Sequence, residues 1–83
     1  MFQSHRDIID AWPTLQDYAA DLGVRFNTAR GMRQRSSIHW RYWDDVAEAA
    51  KRRKIKGVNQ KILRELALAK RARSVPSAAL HVA

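Results

Sequence analysis

Residues 15–34, LQDYAADLGVRFNTARGMRQ, decide the fold that this sequence predicts. Ala19 is small enough to lie where two helices touch, and Gly23, four residues later, suits a turn that needs a positive φ. Apolar residues expected to face a core follow at Val24, Ala29 and Met32. The spacing predicts two helices joined by a turn of three to four residues, which is the pattern of a helix-turn-helix that presents its second helix to DNA.

The second of these helices, predicted over residues 26–35, contains no acidic residue. The side chains expected to point outward and meet base edges are Phe26, Asn27, Arg30 and Gln34. Asparagine and glutamine can pair with adenine, arginine with guanine, and an aromatic ring can contact the thymine methyl group. Packing under the turn is the alternative for the phenylalanine. Contacts to the DNA backbone are expected from Gln16, Arg25, Thr28, Arg33, Arg35, Arg41 and Lys54.

Two residues keep alternative interpretations. Gly31 inside a helix costs about 1 kcal/mol relative to alanine, and it admits either DNA or a neighbouring helix. Trp40 could cover the edge of the core, which we take as its expected place, stack on a sugar or phosphate, or join a partner chain. Trp12 and Trp43 match apolar helix faces and are expected to pack in the core.

Composition and charge limit the classes of protein to consider. A chain of 83 residues is one small domain, which buries only about 60–65% of the surface that its unfolded chain exposes. The absence of cysteine excludes disulfides, thiolate metal sites and cysteine nucleophiles. Residues 1–24 hold four acids against one arginine, a net charge of −3, whereas residues 25–83 hold fifteen Lys/Arg against four acids, a net charge of +11. The second part therefore suits a polyanionic partner.

Caps and apolar periodicity predict the remaining elements. Ser4 and Thr14 each stand three residues before an aspartate and are expected to cap helices, and Asn59 is expected to cap the last one. The predicted helices span residues 5–12, 15–22, 26–35 and 40–53, and a fifth begins after residue 59. The sequence thus predicts an all-α, compact five-helix domain over residues 1–73, followed by an uncharged flexible tail over residues 74–83.

Three groups of residues match a pattern found in a known family. The pattern reads W-P-x-x-x-x-[FY]-A-x-D-[LI]-G-V, then R-x-S-I-P-x-x-Y-W, then A-A and a last helix that opens with G-V-T. The matching residues are Trp12, Pro13, Tyr18, Ala19, Asp21, Leu22, Gly23, Val24, Arg35, Ser37, Ile38, Tyr42, Trp43, Ala49, Ala50, Gly57 and Val58. His39 stands where proline is usual, and Asn59 where threonine is usual. Residues 8–68 resemble small helix-turn-helix regulators of alphaproteobacteria and their prophages, similar to phage Cro and repressor domains. The resemblance implies a lambda-repressor-like fold and DNA-binding transcriptional control.

The expected function is sequence-specific binding of double-stranded DNA by a transcriptional regulator, with repression as the expected mode and helix 3 in the major groove. One such helix reads only about four or five base pairs, so a homodimer is expected, with Ile62 and Leu68 at its interface. The alternative is a monomer whose fifth helix packs wholly inward. The expected location is the cytoplasm, at the nucleoid, because no apolar run approaches the roughly 20 residues of a membrane span and residues 1–10 show no signal-peptide pattern. No cofactor, metal, small-molecule ligand or membrane contact is expected.

Two other functions fit parts of the sequence. A sequence-tolerant accessory protein for DNA or RNA would use the basic run KRRKIK at 51–56 as its main contact. An antitoxin-like interaction module would use helix 5 and the tail. An enzyme is not expected, because His5, His39 and His81 are spread over different segments without a matched carboxylate, and lone histidines of this kind are usually surface residues.

Overall fold

The computed structural model describes residues 2–74, and all regular structure within them is helical. Five α-helices follow one another along this part of the chain, and a short 3₁₀ turn precedes the fourth. Their bounds are α1 His5–Asp10, α2 Leu15–Leu22, α3 Phe26–Arg35, α4 Trp43–Arg52 and α5 Gln60–Ser74, with the 3₁₀ turn at Trp40–Tyr42. The predicted all-helical, five-helix architecture is therefore confirmed for the described residues. The predicted tail lies outside them, apart from Ser74, which ends α5.

Two predicted helices differ from those observed. The first ends at Asp10 instead of continuing to Trp12, because the N–H groups of Ala11 and Trp12 bond the carbonyls three residues back, at 3.1 Å each. This tightening is common in the last turn of a helix. The fourth helix does not begin at Trp40: a 3₁₀ turn comes first, and the Nδ1 atom of His39 accepts the Arg41 N–H at 3.2 Å.

Three predicted helix caps are confirmed. The Ser4 hydroxyl accepts the Asp7 N–H at 3.2 Å, and the Thr14 hydroxyl accepts the N–H three residues later at 3.0 Å. Asn59 does the same for the N–H of Ile62 at 2.9 Å. Each cap contributes about 1 kcal/mol. Because these interactions span only three residues, they fix the starts of α1, α2 and α5 locally.

The core lies where α1, α2 and α3 meet, beneath α4 and α5. Tyr18 is fully buried, stacks edge-on against Trp12 with ring centres 5.1 Å apart, and donates its hydroxyl to the sulfur of Met32 at 3.3 Å. Burial raises the pKa of the Tyr18 hydroxyl far above its usual value. One aromatic side chain of α2 thus contacts both α3 and the segment that follows α1. The other fully buried large side chains are Ile8, Ile9, Val46 and Leu63.

His5 joins α1 to two distant parts of the chain. Its side chain is 4% exposed; its Nε2 donates to the Leu63 carbonyl at 2.8 Å, and its Nδ1 accepts the Ile38 N–H at 2.8 Å. Burial lowers the pKa of His5 below its ordinary value of 6.5, and Lys70 lowers it further. The expectation that His5 is a surface residue is therefore wrong. The buried carbonyl and N–H that it satisfies would otherwise be unpaired.

Candidate nucleic-acid interface

The turn between α2 and α3 is built as the sequence predicts. Gly23 has φ 70° and ψ 29°, the left-handed conformation that glycine adopts without steric cost. Its N–H and that of Val24 bond the carbonyls of Ala20 and Ala19 at 3.1 and 3.0 Å, which ends α2. Ala19 and Ala29 are buried, so the two helices pack closely. The turn and the small side chains together set the angle at which α3 leaves the domain.

The outer face of α3 carries most of the predicted base-contacting residues. Asn27, Arg30 and Gln34 are exposed and stand at i, i+3 and i+7, so they form one stripe along the helix. The side chain of Phe26 is 49% exposed, so it is not enclosed under the turn. On the opposite side, Ala29 and Met32 are buried in the core, as predicted. The four candidate residues therefore lie on surface that a ligand can reach.

The start of α3 differs from those of α1, α2 and α5. Its N-cap residue, Arg25, makes no side-chain hydrogen bond to the helix, and the first turn contains no acid. Within residues 2–74, no side chain therefore caps the first N–H groups of α3. Free N–H groups at the positive end of a helix favour an anion.

Most acids of the first third are paired with arginines from later in the chain. Asp10 binds Arg33 through its Nε atom at 2.6 Å, and Asp21 binds Arg53 through two nitrogens, with Asp17 at 3.9 Å from the same side chain. These pairs are surface contacts of modest energy. Their effect is to neutralise carboxylates that would otherwise repel a polyanion. Arg33, expected to contact the DNA backbone, is held by an aspartate instead of lying free.

Asp21 is the centre of a polar network that sequence reasoning missed. Its carboxylate accepts the indole N–H of Trp12 at 2.8 Å and two N–H groups of Arg53. Hydrogen bonding to that guanidinium, aided by the indole N–H, lowers the pKa of the carboxyl group. Trp12 and Asp21 both belong to the matched sequence pattern. Their joint presence in that pattern was the one sequence feature that could have indicated this contact. The network fixes the C-terminal ends of α2 and α4 relative to each other.

Four of the five arginines in residues 25–41 form no ion pair with the described residues, so they remain available to a ligand. Arg25, Arg30, Arg35 and Arg41 have no carboxylate within 4.0 Å among the described residues. Two of them line a cleft beside α3, which we call the α3 cleft, with a volume of about 340 Å³. Its lining residues are Thr28, Met32, Arg35, Ser37, His39, Arg41 and Tyr42.

The chemistry of the α3 cleft suits a phosphate group. It brings together three residues predicted from sequence to contact the DNA backbone: Thr28, Arg35 and Arg41. Guanidinium and hydroxyl donors are the groups that hold phosphates in proteins, and arginine binds them through two parallel N–H donors. Ser37 and His39, which were not predicted from sequence to contact DNA, add further polar atoms to the cleft.

The nearest side chain to Gly31 belongs to its own helix. A Cβ atom at this position would lie 2.9 Å from the Nη1 atom of Arg35, and its three nearest heavy atoms all belong to that side chain. The glycine therefore leaves room for the Arg35 guanidinium to lie back along α3. Because its φ is not in the left-handed region, the backbone itself does not require glycine here.

The remaining candidates are dispersed. Gln16 is exposed on α2, and Lys54, with φ 60°, follows α4 next to Arg53; neither lines the α3 cleft. Trp40 is 69% exposed, so its expected place at the edge of the core is wrong. Trp43 is only half-buried; it packs against the core and donates its indole N–H to the Ile38 carbonyl at 2.8 Å.

The two residues expected at a dimer interface lie in different environments. Leu68 is 54% exposed, whereas Ile62 is half-buried against the core. They are six positions apart in sequence, which places them about 120° apart around α5. A partner that packs on one face of α5 would therefore contact Leu68 more fully than Ile62.

No helix within residues 2–74 has the length and apolar character needed to cross a membrane, and no group of three or more His, Asp or Glu side chains there could hold a metal ion. No family model matches the chain, and comparison with characterised proteins and with solved structures found no significant similarity.

Proposed function

We propose that the protein is a sequence-specific DNA-binding regulator of the lambda-repressor-like helix-turn-helix type, which inserts α3 into the major groove. The observation that carries this proposal is the exposed stripe of Asn27, Arg30 and Gln34 on a helix without acids, beside a cleft that holds two available arginines. The stripe supplies donors and acceptors for base edges. The cleft supplies donors for phosphates, which position the helix without reading sequence.

Regulation would follow from occupancy. The described residues form a single small domain, and the expected mode is repression, in which the bound protein blocks access to a promoter in the cytoplasm, at the nucleoid. Binding of this kind uses neither a cofactor nor a small-molecule ligand. The energy would come from phosphate contacts, and the discrimination from the base contacts of α3.

Selection of bound duplexes from a random pool tests the proposal most directly. We expect an enriched motif whose preferences change when Asn27, Arg30 or Gln34 is replaced. Selected duplexes without any common motif would favour a sequence-tolerant accessory protein, in which the basic run at 51–56 makes the main contact. Because Arg53 of that run is bound by Asp21, the run offers fewer available charges than the sequence suggests.

Salt dependence tests whether phosphates contribute to binding. Five to eight phosphate contacts would make log K fall against log[salt] with a slope of about −4 to −7 per protomer, at roughly 0.9 per contact. Fluorescence anisotropy of a labelled duplex measures this slope. Between about 50 and 300 mM salt, the affinity should fall by about a thousandfold for the shallower slope and by a few hundred thousandfold for the steeper one. A slope near zero would contradict DNA binding and favour an interaction module such as an antitoxin.

We also propose that the protein acts as a homodimer on DNA. One α3 contacts about four or five base pairs, too few to specify a genomic site, whereas two copies reading half-sites about one helical turn apart are sufficient. Leu68 is exposed on α5, and this exposed apolar side chain favours α5 as the dimer interface. Symmetric half-sites in the selected motif would support the dimer, and a non-palindromic motif bound by one protomer would exclude it.

A further inference from the structure

A second basic cleft adjoins the first on the far side of the loop after α3. We call it the α5 cleft; its volume is about 220 Å³, and its lining residues are His5, Ser37, Ile38, Ala67, Lys70 and Arg71. Ser37, an exposed residue, lines both clefts. The two clefts therefore meet at Ser37, with arginines from α3 and the 3₁₀ turn on one side and basic residues of α5 on the other.

Lys70 makes the end of α3 compatible with an anion. Its ammonium group donates to the carbonyl of Arg35 and to that of Ser36, the latter at 3.2 Å. The C-terminal end of a helix carries a partial negative charge that repels phosphate. Because the Lys70 ammonium covers these carbonyls, a phosphate bound near the end of α3 would meet less of this negative charge.

Arg71 extends the basic surface beyond Lys70. It is exposed, and no carboxylate within residues 2–74 lies within salt-bridge distance of it. Arg64, seven residues earlier, is also exposed and lies on the same face of α5. This face of α5 therefore carries two exposed arginines that form no ion pair within the described residues.

We propose that the α5 cleft binds the DNA backbone, so that one strand runs from Arg41 and Arg35 over Ser37 to Arg71. This inference rests on the proposed function, since it extends the same bound duplex. Successive phosphates of one strand are about 3.4 Å apart along the duplex axis, and two clefts that share one residue suit neighbouring phosphates. The flank of α5 that carries Arg71 thus belongs to the DNA-binding surface, while Leu68 stays on its outer side.

Arg71→Gln tests the proposal, with Lys61→Gln as the matched control. Each variant removes one exposed positive charge from α5, but Lys61 lies ten residues earlier, about 15 Å along the helix, and lines neither cleft. We expect Arg71→Gln to weaken binding of a selected duplex about two- to fivefold and to make the salt slope less steep by about 0.9. Lys61→Gln is expected to keep the wild-type slope. Thermal unfolding of both variants checks that the fold is intact.

The outcomes distinguish the proposed α5 contact from the proposed DNA-binding function on which it rests. Wild-type affinity and slope for Arg71→Gln, while the wild-type protein binds the duplex with a steep slope, would overturn the α5 contact and leave the proposed function standing. Equal losses for both variants would also overturn it, because they would reflect overall charge alone. If the wild-type protein does not bind duplex DNA, the proposed function fails and this inference fails with it.

Discussion

Removal of the His5 side chain should cost a large part of the stability of this domain. The ring satisfies the Ile38 N–H and the Leu63 carbonyl, both at 2.8 Å and both buried. Each buried backbone group left unpaired costs about 1–3 kcal/mol, so we expect His5→Ala to lower the free energy of unfolding by about 3–5 kcal/mol with the lost packing included. The total free energy of unfolding of a domain of 83 residues is about 4–12 kcal/mol.

Protonation of the same ring should destabilise the domain without any mutation. A proton on Nδ1 would point at the Ile38 N–H, which needs an acceptor there. Because the folded-state pKa of His5 lies below 6.5, the unfolded chain binds more protons between the two pKa values. The stabilisation from this group is therefore complete above about pH 6.5 and decreases as the pH falls toward the folded-state pKa.

Urea unfolding followed by far-UV circular dichroism at pH 7.5 and 5.5 measures both effects. His5→Gln keeps an amide that can donate to the Leu63 carbonyl but places no acceptor at Nδ1, so it should cost about 1–3 kcal/mol at pH 7.5 and remove most of the pH dependence. His39→Gln is the control, since His39 is exposed, its ring accepts one hydrogen bond from the local Arg41 N–H, and it lies beside its neighbour Trp40. If His5→Gln retains the wild-type pH dependence, or if His39→Gln abolishes it, the assignment of the switch to His5 is refuted.

Three further outcomes follow from the interface. Arg30→Ala should cost about 1–3 kcal/mol on the selected site and relax the preference at one base pair, whereas Lys54→Ala should weaken all duplexes alike; equal behaviour on cognate and scrambled duplexes would contradict base readout. Gly31→Ala should raise the free energy of unfolding by up to about 1 kcal/mol while displacing Arg35 and weakening DNA binding; calorimetry and anisotropy would show whether the two effects separate in this way. Leu68→Glu should shift a dimer to monomer in light scattering without lowering the melting temperature, and an unchanged mass would remove α5 as the dimer interface.

The sequence by itself determined the features that depend on residues close together in the chain. The caps at Ser4, Thr14 and Asn59 act over three residues, and the Gly23 turn acts over five. The faces of α3 follow from helical periodicity, so its exposed stripe could also be predicted. Local steric and hydrogen-bonding rules are sufficient for each of these, which is why the bounds of α2 and α3 were predicted without error.

The tertiary structure alone decided the features that join distant residues. His5 meets Leu63 across 58 positions, Arg53 meets Asp21 across 32, and Arg33 meets Asp10 across 23. No periodicity links such pairs, because their approach depends on how the helices pack, and a histidine or arginine is compatible with either a buried or an exposed site. The same reason explains why Trp40, taken for a residue at the core edge, lies exposed. It also explains why the α5 cleft, which joins Ser37 to Lys70 and Arg71, forms only when α5 packs against the end of α3.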